Sequence, residues 1–265
     1  MRIDYAISSR TGRRERNEDA CGGTVRGAAG CWVLADGAGG HGGGDVAARV
    51  ALDAVLCAFE ALPEPARAAS GAGVARLVHE ANARVLEAQR EAPALSDMRA
   101  ALATVVIDLD RSIACWAHLG DARLYLLRAG RVRRRTRDHT LAQALADAGL
   151  LAPGAAPTVS RSVLTASLGG PEGFGPTVAE AVPIEPGDAI LLASDGLWER
   201  LEDVRIALEL ARAATPADWI ARLEAIVERA AAATQDNYSA VAVWCGRGAD
   251  RTDGSTSSRS MRAAP

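Results

Sequence analysis

The sequence contains no lysine; all 30 basic residues are arginine. A phosphate-cradling P-loop needs its lysine on the phosphates, and Schiff-base chemistry needs a lysine nucleophile, so neither is open to this chain. The glycine-rich residues 39–44 also lack the G-x-G-x-x-G frame of nucleotide binding. No C-x-x-C pair occurs among Cys21, Cys31, Cys57, Cys115 and Cys245. An odd, scattered set argues against a zinc or thioredoxin-type site and for a reducing, cytoplasmic compartment. There is no run of 18 apolar residues, and the start MRIDYAISSR has no apolar signal core. The expectation is a protein that neither spans a membrane nor is secreted. Neither sign of charge dominates: 30 basic against 33 acidic residues leave −3, so no bulk field points to nucleic acid or an anionic membrane.

What is present is enough for one sizeable core: 265 residues, 49% of them hydrophobic. Alternation predicts a strand over 3–9, and the apolar run 31–35 a buried strand that ends at Asp36-Gly37. Helices are expected from about Asp45, with Val46, Val50, Ala54 and Cys57 on one face, and over 74–91, with Leu77, Ala81 and Val85. The stretch PEPARAASGAG between them reads as a loop. Residues 101–109, 112–119 and 122–128 read as a meander of hairpins with joints at Asp110-Arg111 and Gly120-Asp121. Gly130 turns the chain into 131–135. A short helix is expected over 140–148 and a surface loop over 149–162, which would tune substrate choice. Residues 177–183 and 188–193 read as a second antiparallel pair. Helices follow over 202–213 and 216–233, the latter capped by Thr215 with Pro216 in its first position. A strand over 238–245 closes the domain, which spans 1–246. Residues 247–265 lack periodicity and are expected to be disordered. No repeat is present, and strands and helices come in blocks. This favours an α+β fold with antiparallel sheets.

Two buried strands end in Asp-Gly, at WVLADG (32–37) and ILLASDG (190–196), and Asp236 immediately precedes the last strand. Glu18 and Asp19 follow the first strand, and Asp121 sits in the turn HLGDAR. Acids at strand ends can converge at one end of a sheet. Several carboxylates stay ionised together there only beside cations, and an all-oxygen set suits hard ions such as Mg²⁺ or Mn²⁺. The glycine after each acid leaves a backbone carbonyl open as a further ligand.

Six segments together carry a resemblance: GRRERNEDA, WVLADGAGGHGGGDVAA, HLGDARLYLLRAGRVRRRTRDHT, SVLTASLGG, LLASDGLWE and QDNYSAVAV. In this order the chain resembles the bacterial metal-dependent serine/threonine protein phosphatases of type 2C, the PPM family, over about residues 8–244. The resemblance implies a four-layer α/β/β/α sandwich with two central antiparallel sheets flanked by helices. It implies that Asp36 bridges two metals, that the Gly37 carbonyl ligates one, and that Asp195 and Asp236 hold the other. Asp121 matches the acid that helps hold a third metal in bacterial members. Glu18, Asp19 and Asn237 fall on positions that support these ligands, and Arg14 on the phosphate-binding arginine, whose planar fork suits two phosphate oxygens. His41 is a candidate general acid, though Ala38 stands where animal members place a histidine. Ala166 stands where an arginine often precedes Ala-Leu-Gly.

Such a site would use a water between two Mn²⁺ or Mg²⁺ ions for in-line attack on phosphorus, with no phosphoenzyme. The implied substrates are phosphorylated proteins, among them a eukaryotic-like bacterial Ser/Thr kinase and its targets, met by a monomer. Rival chemistries fail on the letters. VVIDLDRS at 105–112 looks like a haloacid-dehalogenase nucleophile motif, but that chemistry needs a downstream lysine. Cys21 is followed by Arg26, one residue too early for a cysteine phosphatase. His118 alternates with apolar residues and reads as structural. Asp138, His139 and Thr140 read as organising the loop over the site. A non-catalytic binding module built on a degenerate phosphatase fold is the remaining alternative; the intact acids Asp36, Asp195 and Asp236 speak against it.

Overall fold

The computed structural model describes residues 1–38, 43–150, 163–170, 175–230, 235–246 and 259–262. Alternation along β3 (Ala29–Ala38) shows its plan. Cys31, Val33 and Ala35 face one apolar layer, while Trp32 and Leu34 face another. A strand buried on both faces needs a cover on each, and the chain supplies helices on one side and a second sheet on the other.

The sheet around β3 has seven strands. β2 (Asp19–Arg26) and β4 (Arg99–Asp108) flank β3, and β5 (Ile113–Leu119) follows. Two-residue strands β8 (Thr177–Val178) and β9 (Val182–Pro183) pair with β5. The second sheet has five strands in the order β1 (Arg2–Arg10), β11 (Tyr238–Gly246), β10 (Ala189–Ala193), β6 (Arg123–Arg128) and β7 (Arg131–Arg135). Every pairing is antiparallel. Helices α1 (Gly44–Glu60) and α2 (Gly71–Glu91) pack on the first sheet, with Leu52, Val55, Leu56, Leu77 and Val85 buried there. Helices α4 (Asp195–Trp198), α5 (Asp203–Arg212) and α6 (Pro216–Ala230) cover the second through Trp198, Ile206, Trp219 and Leu223. The four-layer sandwich implied by the resemblance is the observed fold. Full burial of a leucine such as Leu34 or Leu192 in the middle layer stabilises it by about 1.5–3 kcal/mol.

Helix ends follow local chemistry. Ser70 caps α2 by accepting from Gly73 N at 3.2 Å, and Thr215 accepts from Asp218 N at 3.1 Å before Pro216. Thr140 caps α3 (Leu141–Asp147) through Gln143 N at 3.2 Å. The loop expected between the first two helices contains a 3-10 turn, Pro65–Ala68, and the first turn of α2.

Three expectations about connectivity are corrected. The 101–128 segment is not a single meander: β5 and β6 belong to different sheets, so Gly120-Asp121 is a corner between layers. Ala114 and Trp116 of β5 meet Leu124 and Leu126 of β6 in the middle core from opposite sides. The 177–183 and 188–193 segments likewise divide, with β8 and β9 on β5 and β10 beside β11. Alternation alone cannot distinguish a neighbour in the sheet from a partner across the core. Finally, Arg259–Arg262, expected to be disordered, forms β12 against β2. The free main-chain groups of an edge strand accept such pairing whatever the side chains. The rest of the 247–265 tail and residues 151–162 lie outside the described residues.

Candidate active site

Residues that face the middle layer are apolar along most of each strand and polar at one end. Ile190 and Leu192 on β10 are succeeded by Ser194, and Val241 on β11 is preceded by Ser239 and Asn237. On β3, Trp32 and Leu34 are succeeded by Asp36, and on β2, Cys21 is preceded by Asp19. Period-2 alternation therefore delivers a polar floor at one mouth of the sandwich. Asp36 lies inside β3, paired with both Asp19 and Ala101, rather than beyond the strand's tip.

A pocket of about 570 Å³ opens over this floor. It brings together Arg14, Glu18, Asp36, Gly37, Asp121, Asp195, Asp236 and Asn237. Asp19 lies beneath, 6% exposed, and accepts from Ser194 Oγ at 2.8 Å. Ser194 Oγ in turn accepts from Ser239 N at 2.9 Å. Ser9 joins the same network, accepting from Asn17 Nδ2 at 2.7 Å and lying 2.8 Å from Ser239 Oγ. The serines were not singled out by sequence; the signal was a small polar residue at an inward position of an otherwise apolar strand. Asp45, in the first turn of α1, was also missed as an acid near Glu18.

The glycines after the acids have a packing role that the sequence did not reveal. A Cβ on Gly37 would stand 2.0 Å from Gly44 O, and one on Gly196 2.0 Å from Asn237 O. Backbone from another element crosses directly over each, so no side chain fits.

Asn237 holds the loop that carries Arg14 and Glu18. Its Oδ1 accepts from Glu18 N at 2.8 Å, and its Nδ2 donates to Thr11 O at 2.7 Å and Arg16 O at 2.9 Å. Glu18 O accepts from Gly37 N at 3.0 Å, linking this loop to β3. Arg14 NH2 donates to Asp236 Oδ2 at 2.6 Å, and Asp236 Oδ1 accepts from Asn237 N at 2.8 Å. The predicted phosphate-binding arginine is thus held by a predicted metal ligand.

The electrostatics are those of crowded acids in which burial and neighbouring carboxylates outweigh the nearby arginines. Burial, then Asp19 and Asp195, push Asp36 well above the usual carboxylate range. Burial, then Asp121 and Asp236, do the same to Asp195. Burial raises Asp121 to about 7, helped by Asp138. Burial raises Asp19 to about 6 against the opposing hydrogen bonds of Ser239 and Ser194. Glu18 is raised by burial and by Asp45. Such a set ionises fully only beside multivalent cations. The donors are all oxygen, which fits Mn²⁺ or Mg²⁺. Among the described residues, no three His, Cys, Asp or Glu side chains are drawn together closely enough to hold an ion as they stand. His41 lies outside the described residues. Asp138 and His139 sit beside the site, where His139 N donates to Gly120 O at 2.8 Å.

Residues 8–237 match the family model described as protein phosphatase 2C. The chain belongs to the protein phosphatase 2C family. Within that family it is 32% identical over 225 residues to the serine/threonine protein phosphatase PstP of Mycobacterium tuberculosis, a match covering 83% of this chain and 42% of PstP. The chain therefore spans about two-fifths of that relative's length. It is 28% identical over 175 residues to protein phosphatase PhpP of Streptococcus pneumoniae, covering 66% of this chain and 70% of that one. The solved M. tuberculosis PstP/Ppp phosphatase superposes with a TM-score of 0.79 at 29% identity, covering 92% of this chain and 99% of that chain. A PstP catalytic domain in complex with two manganese ions gives a TM-score of 0.77 at 28% identity, covering 92% and 99%. A divalent-metal site is thus the family reading of these carboxylates, in agreement with their chemistry.

Proposed function

We propose that this chain is a metal-dependent phosphatase acting on phosphoserine and phosphothreonine in proteins. The convergence of Asp36, Asp121, Asp195 and Asp236 on one pocket beside Arg14 carries this reading. Asp36 would bridge two ions, the Gly37 carbonyl would complete one site, and Asp195 and Asp236 would complete the other. Asp121 would help to hold a third. Two Mn²⁺ or Mg²⁺ ions would supply an activated water for in-line attack on phosphorus and neutralise charge on its oxygens.

The protein's own groups supply positioning. With Asp236 holding a cation, Arg14 would be released from it and its fork would be available for two phosphate oxygens. Asp19, fixed by Ser194, backs Asp36 from below; Asn237 keeps the Arg14–Glu18 loop against β3. The leaving hydroxyl needs a proton, and His41 is the histidine nearest in sequence to Asp36 and Gly37. The substrates are phosphoproteins, and a cytoplasmic Ser/Thr kinase with its targets is the fitting class, met by a monomer. Among the described residues no helix is long and apolar enough to cross a membrane. Nothing in the site favours a non-catalytic binding module.

The test is phosphate release from a phosphothreonine peptide, with Mn²⁺ and with chelator, by the wild type and Asp36→Asn. Turnover that requires Mn²⁺ and collapses in the variant is expected. No turnover across several peptides and ions would overturn the reading.

A further inference from the structure

A second concavity, about 580 Å³, lies at the lateral edge of the sandwich. One wall is β7, the last strand of its sheet; the other is formed by Trp116, His118, Thr177 and Ala179 at the edge of the facing sheet. Arg133, Arg134, Arg135 and Arg137 line it. The register places Arg134 opposite Leu126 and Val132 opposite Leu127, so Arg133 is the extra residue of a bulge. A bulge re-aims side chains, and here Arg133, Arg134 and Arg135 line the groove in succession.

The acids of the groove are already used. Asp138 receives Arg123 through both oxygens at 2.7 Å, and Asp147 is paired with Arg137. Arg135 reaches Asp203 at 2.9 Å. Among the described residues no ion pair or side-chain hydrogen bond engages the guanidinium groups of Arg133 and Arg134. On the opposite wall His118 is 3% exposed, its Nε2 is 2.7 Å from Arg137 O, and its Nδ1 has no hydrogen-bond partner. The groove thus presents surplus positive charge and, among the described residues, the edge strand of a sheet. It adjoins the catalytic pocket: Asp138 and His139 line it, and His139 N is bonded to Gly120 O, next to Asp121.

We propose that this groove docks an acidic segment of the protein substrate, outside the pocket for the scissile phosphate. The proposal rests on the phosphatase reading above. An extended peptide can add main-chain hydrogen bonds to β7 while its carboxylates or additional phosphates meet Arg133 and Arg134. A nucleic acid fits less well, because the groove's one indole, Trp116, is 6% exposed and gives bases no platform. The plain alternative is that the arginines only guard an exposed edge against unwanted pairing.

The experiment compares the wild type with Arg133→Glu/Arg134→Glu and Arg133→Gln/Arg134→Gln, both at exposed positions. A fluorescein-labelled, glutamate-rich peptide without phosphate is followed by anisotropy. Binding by the wild type that weakens with salt and is lost in both variants is expected. With a phosphothreonine peptide bearing an acidic flank, KM is expected to rise about tenfold in the Glu variant with kcat unchanged. Turnover of para-nitrophenyl phosphate should be unchanged. No wild-type binding, equal binding by the variants, or an unchanged KM would overturn the proposal and leave the edge-guard explanation. Tighter binding of a single-stranded oligonucleotide at the same arginines would overturn it in favour of nucleic acid. If no phosphopeptide is hydrolysed, the phosphatase reading fails while the anisotropy result still decides the groove.

Discussion

Asp19 and Asp36 face each other across β2 and β3, and after burial the charge of Asp19 is the main influence raising Asp36. Two acids so close cannot both ionise readily, so the pair retains a proton until positive charge arrives. Asp19→Asn removes one charge and keeps an oxygen to accept from Ser194. The metal-free variant should melt above the wild type. Its gain in melting temperature on adding Mn²⁺ should be smaller, and Mn²⁺ affinity should fall about 10–100-fold, as for other partners that orient ligands. Calorimetric titration and thermal melts read both; unchanged affinity would remove Asp19 from the site.

The same crowding predicts a pH dependence. Asp19 and Asp121 titrate at about 6 and 7 in the folded protein, above the ordinary value for Asp. Raised acids favour the folded state when protonated, so their contribution is full below the unfolded value and lost as pH rises through the folded one. In chelator, Asp19 and Asp121 should lower the melting temperature as pH rises through about 4 to 7, and Asp36 and Asp195, also held well above the ordinary value, add to that loss. The stabilisation by Mn²⁺ should be largest at the alkaline end. A metal-induced shift that grows toward acid would contradict this.

Arg14→Ala removes the fork proposed for phosphate and also frees Asp236. A charge-assisted bond of about 1.5–3 kcal/mol corresponds to roughly a 10–100-fold fall in kcat/KM for a phosphopeptide. Metal affinity should hold or improve, because the competing guanidinium is gone. Loss of metal affinity would assign Arg14 a structural role.

Gly37→Ala and Gly196→Ala should each destabilise the protein by about 1–3 kcal/mol or more, since the added methyl meets backbone rather than a movable side chain. Gly27→Ala is the control for a glycine whose surroundings are open. It should show only the cost of its positive φ, so a loss equal to that at Gly37 would refute the close-approach argument.

The elements and most of the acids were legible in the sequence because short-range signals encode them. Alternation marked the strands, Thr215-Pro216 marked the start of α6, and Asp-Gly after a buried run marked Asp36 and Asp195. The helical start of Asp195 was not legible, since α4 is a single turn. Nor were the hydroxyls of Ser9, Ser194 and Ser239, which acquire a role only where β1, β10 and β11 lie side by side.

By itself, the sequence determined the chemistry available: no lysine, an all-oxygen set of acids and an arginine near the first strand. Tertiary structure alone decided which acids meet. The corner at Gly120-Asp121 carries the chain from one sheet to the other, and only that crossing puts Asp121 in the same pocket as Asp36 and Asp195. The physical reason is that a period-2 pattern records which side of a strand is buried, but not which layer lies against it. Burial against the opposite sheet then sets both the pocket and the weakened acidity of its carboxylates.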